Sequence, residues 1–94
     1  MLKKITIDKI LIYDIFLWNK NYLFFGCNDN TIKLIELNKY KIVKTLIGHD
    51  DIVKNITKII HPIFGEYLLS QGAKGRYSEE IIIWFKNCFS NLTK

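Results

Sequence analysis

The hydrophobic residues of this chain fall into short runs separated by polar residues and glycine. The first half holds four such runs, rich in β-branched and aromatic residues, at 10–18, 22–27, 31–37 and 41–47. Asn, Asp, Gly or Lys stands between each run and the next. Runs of this length and composition, bounded by turn residues, predict β-strands rather than helices.

The connections between these runs predict hairpins. Asn-Lys-Asn at 19–21 and Asn-Asp-Asn at 28–30 are short, and Asn and Asp tolerate positive φ and hydrogen-bond to their own backbone. The segment 36–41 is a slightly longer turn. The first half therefore predicts an antiparallel series of four strands, and residues 2–7 are a candidate for one further strand ahead of them.

The second half repeats this scheme, with runs at 52–61, 66–72 and 80–85. The run 52–61 also spaces its isoleucines roughly as a helix would. Its β-branched content and its position between a glycine and a proline nevertheless favour a strand. The stretch 72–80 contains two glycines and predicts a long hairpin loop before the last strand.

Several runs lack the alternation of a half-buried strand. The runs 22–25 and 80–85 are almost entirely apolar, which predicts strands packed on both faces. Lys39, Lys41 and Lys44 instead mark a strand with access to solvent, typical of a protected sheet edge. The pattern thus predicts a small sheet stacked between other sheets.

The two halves of the chain are related by an internal repeat. Tyr22-Leu23 recurs as Tyr67-Leu68, 45 residues later, and the run 31–36 aligns with 80–85, 49 residues later. A period of about 45 residues with roughly four strands per unit is the repeat length of propeller blades.

The stretch NDNTIKLIELNKYKIVKTLIGHDDIV (28–53) is similar to the repeat of the WD40 family, a family of β-propellers. It resembles that family's Asp-x-Thr-Ile-Lys-Leu strand, its fourth strand, and the Gly-His pair that opens the next repeat. The resemblance covers residues 10–86. It implies an all-β fold of antiparallel four-stranded blades, as a partial propeller: a first blade at 10–47, an incomplete second blade at 48–86 and a tail at 87–94.

The resemblance also implies a structural role for four side chains. In the family, a His, a Ser or Thr, a turn Asp and a Trp form a hydrogen-bonded network that holds a blade together. Residue by residue, His49, Ser70 and Trp84 match this network in the second repeat, and Asp29 matches the turn Asp in the first. Buried imidazole, hydroxyl and indole N–H groups can satisfy one another, whereas each alone would be costly.

Both repeats depart from the family's pattern. In the second, Glu79 or Glu80 stands in place of the turn Asp, inside the lengthened loop, so we expect a partial network. In the first, Phe25 stands at the Ser position and Ile35-Glu36 replaces Trp-Asp. The first blade is therefore expected to be held by apolar packing.

The Gly-His-Asp-Asp stretch at 48–51 also has a chemical interpretation, as a metal site or an acid–base pair. No third ligand or positioned nucleophile accompanies it, and adjacent carboxylates on an extended chain point to opposite sides. Cys27, His61 and Cys88 do not complete the paired spacing of a structural zinc site. We predict no catalytic residue, no cofactor and no metal, and hence no enzyme.

The charge of the chain is carried almost entirely by lysine. Thirteen lysines and the single Arg76, against nine acidic residues, give a formal net charge of +5. Recognition of bases and phosphates relies on the bidentate arginine side chain, so this ratio argues against nucleic-acid binding. No apolar stretch is long enough to span a membrane, and charged residues interrupt the N-terminal apolar segment. The sequence predicts an intracellular protein, cytoplasmic or nuclear.

The function that the resemblance implies is a non-catalytic scaffold for protein–protein interaction. Propellers need about four to eight blades, and this chain supplies about two, so we expect protein partners, further blades or copies of the chain itself. Lys74, Arg76 and Tyr77, in the predicted long loop, are the candidate partner contact. The alternative is a small basic β-barrel of the OB type that binds single-stranded nucleic acid, which a pI near 9.3 and thirteen aromatic residues favour.

Overall fold

Seven antiparallel strands form two separate sheets. The computed structural model describes residues 2–89. The first sheet has the order β1 (Ile12–Asn19), β2 (Tyr22–Cys27), β3 (Thr31–Glu36), β4 (Lys41–Ile47), and the second has the order β5 (Val53–His61), β6 (Gly65–Lys74), β7 (Ser78–Trp84), followed by a 3-10 helix at Lys86–Cys88. The all-β class is confirmed, and β5 is a strand as predicted.

Short turns connect the strands where the Asn-rich stretches predicted them. The side-chain Oδ1 of Asn19 accepts hydrogen bonds from the backbone N–H groups of Asn21 and Tyr22, at 2.8 and 3.1 Å. Asn30 adopts a φ of +71°, which asparagine tolerates better than most residues. Local side-chain chemistry thus fixes the first two hairpins.

The two sheets pack face to face and bury a common core. We call the side of each sheet that meets the other sheet its inner face, and the opposite side its outer face. Alternation along β1 turns Phe16 and Trp18 inward, and Phe89, just after the 3-10 helix, closes the core. The buried core residues are Trp18, Tyr22, Phe24, Ile32, Leu34 and Leu46 of the first sheet, Val53, Ile56, Leu68 and Trp84 of the second, and Phe89.

Two charged side chains at inward positions tie the sheets together. Asp14 Oδ2 accepts a hydrogen bond from the backbone N–H of Ile56 at 2.8 Å. Lys58 Nζ donates to the carbonyl of Trp18 at 2.6 Å and lies 4.2 Å from the centre of its ring. Both backbone groups belong to β1 and β5, the edge strands, so the charged side chains supply partners that a neighbouring strand would otherwise provide.

The pairing of β6 with β7 repeats the pairing of β2 with β3. Leu69 stands opposite Ile83 as Phe24 stands opposite Leu34, with the offsets of 45 and 49 residues found in the sequence. Phe24 and Leu34 are fully buried on the inner face, whereas Leu69 and Ile83 lie on the outer face. The two sheets are therefore stacked in the same sense, since a two-fold axis would have brought equivalent faces together.

Several sequence predictions are wrong, the first being the strand at residues 2–7. This segment forms no strand. Ile7 and Ile10 instead pack on the outer face of the first sheet, against Phe25, Cys27 and Ile35. Burial of these three side chains explains why β2 is packed on both faces, as its sequence predicted.

The predicted long loop at 72–80 is also wrong, because both flanking strands extend into it. β6 continues to Lys74 and β7 begins at Ser78, which leaves a turn of three residues. Gly75 takes a φ of +69° there, a left-handed conformation that glycine adopts without strain. Lys39 likewise lies in a turn, ahead of β4, and β4 is a sheet edge as predicted.

The prediction that the last strand is packed on both faces is wrong within the described residues. Ile81 and Ile83 of β7 remain 63% and 51% exposed, because none of the described elements covers the outer face of the second sheet. The predicted tail at 87–94 contributes to the core, since Phe89 is buried. Residues 90–94 lie outside the described part of the chain.

Gly26 lies where the two sheets approach each other closely and gives a test of their packing. A Cβ atom at this position would lie 2.8 Å from Val53 Cγ1 and 2.9 Å from the Val53 carbonyl oxygen. We expect Gly26→Ala to lower the free energy of unfolding by about 1–3 kcal/mol through overpacking. Urea unfolding followed by tryptophan fluorescence measures this loss.

The double variant with Val53→Ala provides the control. Removal of the Val53 methyl groups relieves part of the clash, so the double variant should lose less than the sum of the two single losses. Strictly additive losses would show that the sheets do not meet at this point.

Candidate functional site

A chain of hydrogen bonds runs through the buried side chains of the second sheet. β6 and β7 turn Ser70 and Trp84 to the inner face, and the loop before β5 brings His49 beside them. Trp84 Nε1–H donates to Ser70 Oγ at 2.8 Å, and Ser70 Oγ lies 2.6 Å from His49 Nε2. The structure thus brings together three of the side chains that the sequence singled out.

Glu80 occupies the far side of the imidazole. Its Oε1 lies 3.3 Å from His49 Nδ1, a long and poorly aligned contact, and neither atom has another hydrogen-bond partner. Because a carboxylate accepts and does not donate, the arrangement favours a hydrogen on Nδ1. Nε2 then accepts from the Ser70 hydroxyl, which in turn accepts from Trp84. Glu80 stands in β7 rather than in a loop, which is why its longer side chain can reach the imidazole.

Two glycines make room for this arrangement. A Cβ atom at Gly48 would lie 2.8 Å from Cη2 of Trp84, so the indole ring packs directly on the Gly48 backbone. A Cβ atom at Gly72 would lie 2.8 Å from His49 Nδ1 and 2.7 Å from the carbonyl oxygen of Ile52. The Gly-His pair therefore has a physical basis: the glycine admits the indole, and the histidine binds the hydroxyl that the indole N–H reaches.

Burial keeps the His49 imidazole neutral. Burial lowers the pKa of His49, and the negative charges of Glu80 and Asp50 oppose this shift without reversing it. Protonation would place a hydrogen on Nε2, so that both ring nitrogens would donate. The Ser70 hydroxyl would then lose its acceptor inside the core.

Ser70, His49 and Glu80 have the connectivity of a nucleophile, a base and an orienting acid. Catalysis would require access of a substrate to the hydroxyl. Ser70 has no exposed surface, and its oxygen already accepts the hydrogen bond from Trp84. The arrangement holds strands together and has no room for an attacked carbonyl.

Asp29 lies apart from this network, in the turn of the first sheet. Its carboxylate accepts hydrogen bonds from Thr31 Oγ1 at 2.6 Å and from Lys33 Nζ at 3.0 Å. Burial opposes ionisation, but the hydrogen bonds from Thr31 and Lys33 hold the pKa of Asp29 below its ordinary value. Asp29 thus stabilises the β2–β3 turn and has no contact with His49.

The candidate partner contact forms the tip of the β6–β7 hairpin. Tyr77 is 90% exposed, and the Arg76 guanidinium lies 5.9 Å from the centre of its ring. Lys74 Nζ lies 3.9 Å from Asp50 and 3.8 Å from Glu80. The tip of the hairpin presents a cation and an aromatic ring to solvent. Lys74, where β6 enters the turn, links the hairpin to the His49 site through Glu80.

A concavity of about 470 Å³ opens at the other end of the second sheet. Its walls include Phe64, Tyr67 and Phe85, and the Tyr67 and Phe85 rings meet edge to face with centroids 5.3 Å apart. Glu66 at its rim pairs with Lys58 at 3.2 Å. The concavity combines these aromatic walls with the polar Glu66, Lys86 and Asn87, and it continues the exposed outer face of the second sheet.

Sequence reasoning missed the contributions of Asp14, Lys58 and Gly72. Asp14 and Lys58 carry a recognisable signal, since each is a charged residue at an inward position of an otherwise alternating strand. Gly72 was interpreted as part of a loop, and nothing in the sequence indicated its contact with His49.

Among residues 2–89, no three His, Cys, Asp or Glu side chains converge where they could hold a metal ion. The same residues include no helix of the length and hydropathy needed to cross a membrane. Cys27 and Cys88 are free thiols, and burial raises the pKa of Cys27.

The hydrogen-bonded chain predicts that His49→Ala destabilises the fold. The variant leaves the Ser70 hydroxyl short of a buried partner, and we expect it to lower the free energy of unfolding by about 1–3 kcal/mol. His61 provides a matched control, because its imidazole accepts hydrogen bonds only within an exposed turn. Chemical denaturation compares the variants, and an equal loss for His61→Ala would contradict the role of His49.

The lowered pKa of His49 predicts a stability that depends on pH. The unfolded chain takes up a proton near its ordinary pKa of 6.5, and the folded chain does so at a lower pH. The stabilisation by neutral His49 is therefore complete above pH 6.5 and is lost as the pH falls through the folded pKa.

The comparison with His49→Gln isolates this effect from the titration of carboxylates. The difference in unfolding free energy between the parent and His49→Gln should shrink as the pH falls below 6.5. A difference that stays constant through this range would show that His49 has the same pKa in both states.

Comparisons with known proteins give one short match. The chain matches no protein-family model and no solved structure. It is 44% identical over 36 residues to myosin heavy chain kinase C from Dictyostelium discoideum, a match that covers 38% of this chain. The match spans 5% of the length of that kinase.

Proposed function

We propose that this chain is a segment of a WD40-like β-propeller that serves as a non-catalytic scaffold for protein–protein interaction. The observation that carries the proposal is the stacking of two repeats in the same sense. The movement that carries the first sheet onto the second can be repeated to add a third sheet and more. The blades of a propeller are related to one another in this way. The repeat period of about 45 residues agrees with that architecture.

The chemistry of the second sheet supports the same proposal. His49, Ser70 and Trp84 form the hydrogen-bonded chain that the family resemblance implies, and Glu80 stands where the family has an aspartate. Ser70 is buried, which fits a structural role and not a catalytic one. We assign the partner contact to the Lys74, Arg76 and Tyr77 hairpin, and we place the protein in a reducing, intracellular compartment.

The alternative function, single-stranded nucleic-acid binding by an OB-like barrel, has less support. That fold closes five strands into one barrel, whereas the described strands form two separate sheets. The short match to a kinase carries no function to this chain, because it spans so little of that protein.

Tandem copies of the chain test the proposal. If the sheets are blades, a single polypeptide of four copies supplies about eight blades and can close a ring. We expect it to unfold in one transition at a clearly higher temperature than the single chain. Independent barrels would instead unfold at the temperature of the single chain, whatever the copy number, and that result would contradict the propeller. Circular dichroism during heating measures both outcomes.

A further inference from the structure

We infer that copies of this chain bind one another head to tail, with the outer face of the second sheet on the outer face of the next copy's first sheet. This inference rests on the proposed propeller function and names one partner for it. Two features of the molecule carry it. The first is an exposed apolar face of the second sheet, whose residues are equivalent to those of the first sheet's inner face. The second is an apolar strip on the outer face of the first sheet.

The first feature is the open face, which we define as Tyr67, Leu69, Ile81, Ile83 and Phe85 on the outer side of β6 and β7. Its aliphatic and aromatic side chains form one continuous surface that no described element covers. Hydrogen bonds among Asn55, Gln71, Glu79 and Lys54 border it at one end. An apolar centre with a paired polar border is the usual composition of a protein interface.

The open face repeats the pattern of the inner face of the first sheet. The alignment that relates β2 to β6 and β3 to β7 connects the four large buried side chains of β2 and β3 on that inner face to residues of the open face. Tyr67, Leu69, Ile81 and Ile83 are the equivalents of Tyr22, Phe24, Ile32 and Leu34. The four residues of the first sheet are buried because the second sheet packs on them. Their equivalents on the open face present similar side chains in the same register.

The second feature is the β1 strip, which we define as Tyr13, Ile15 and Leu17 on the outer face of the first sheet. These residues are about half exposed, Ile15 at 56% and Leu17 at 55%. The N-terminal residues Ile7 and Ile10 cover the neighbouring part of that face and leave the strip open.

The position of the strip suits the repeated contact. Within the chain, β5 contacts β1 and β2 across the interface between the sheets. The operation that superposes the first sheet on the second takes β1 to β5 and β2 to β6. Applied once more, it places the β1 strip of the next copy against β5 and β6 of the first copy. The uncovered part of the first sheet is therefore the part that this contact uses.

The two faces are different surfaces of one chain, so a second copy binds them in a head-to-tail arrangement. Lys41 and Lys44 on the edge strand β4 disfavour the addition of another strand there. A contact between two different faces of identical chains closes into a ring when the rotation between copies permits it, and otherwise grows as an open filament. With two sheets per copy and about four to eight blades per ring, closure needs about two to four copies.

Analytical ultracentrifugation of the full chain tests the inference. The parent should sediment at a multiple of its 11.1 kDa mass across the micromolar range. Leu69→Lys on the open face and Ile15→Lys on the β1 strip should each sediment as the monomer, because each buries a charge in the contact. Ile63→Lys adds the same charge at an exposed position in the β5–β6 turn and should assemble as the parent does.

Mixing the two interface variants distinguishes this geometry from a symmetric dimer. Each variant keeps one intact face, so the head-to-tail contact predicts a one-to-one heterodimer in the mixture. Misfolded variants could not form that complex, so its appearance also shows that both variants are folded.

Three results would overturn the inference: a monomeric parent, interface variants that assemble as well as Ile63→Lys, or a mixture that stays monomeric. A monomeric parent would leave the tandem-copy result untouched, because covalent linkage raises the local concentration of weakly binding faces. The failure of self-association and the failure of the propeller are therefore separable.

Discussion

The fold of this chain depends on how the polar groups between the two sheets are paired. Ser70 lies at the centre of that problem, since its hydroxyl is fully buried and must find both a donor and an acceptor. Trp84 supplies the donor and His49 the acceptor, and the two residues come from a strand and a loop that are distant in sequence. Satisfying one hydroxyl thus fixes the loop before β5, the register of β7 and the orientation of the indole ring.

The first sheet reaches the same layout without such a network. Phe25 stands at the repeat position of Ser70, and Ile35 stands at that of Trp84, so no polar group needs a partner there. The N-terminal residues Ile7 and Ile10 cover these side chains. Two repeats with one backbone plan are therefore stabilised by different means: apolar packing in the first, and paired polar groups inside an apolar core in the second.

The sequence predicted the strands and the repeat well, because alternation, β-branched runs and Asn-rich turns are local signals. It did not predict the short β6–β7 turn, since Gly72 resembles a turn residue when its contact with His49 is unknown. It also overestimated the burial of Ile81 and Ile83. An apolar run reports that a face favours burial, and only the tertiary structure reports whether anything covers that face.

The difference between the tendency to be buried and actual burial determines which surfaces of this molecule favour association. Asp14 and Lys58 satisfy backbone groups of the edge strands β1 and β5, and lysines protect the edge at β4. Edge strands are the usual route to uncontrolled association, and three of the four edges of the described sheets, β1, β4 and β5, are occupied or charged. Within residues 2–89, no element covers the outer face of the second sheet along β7. This apolar face favours association along the stacking axis of the sheets, and β7 is the edge at which a further strand meets least opposition among the described strands.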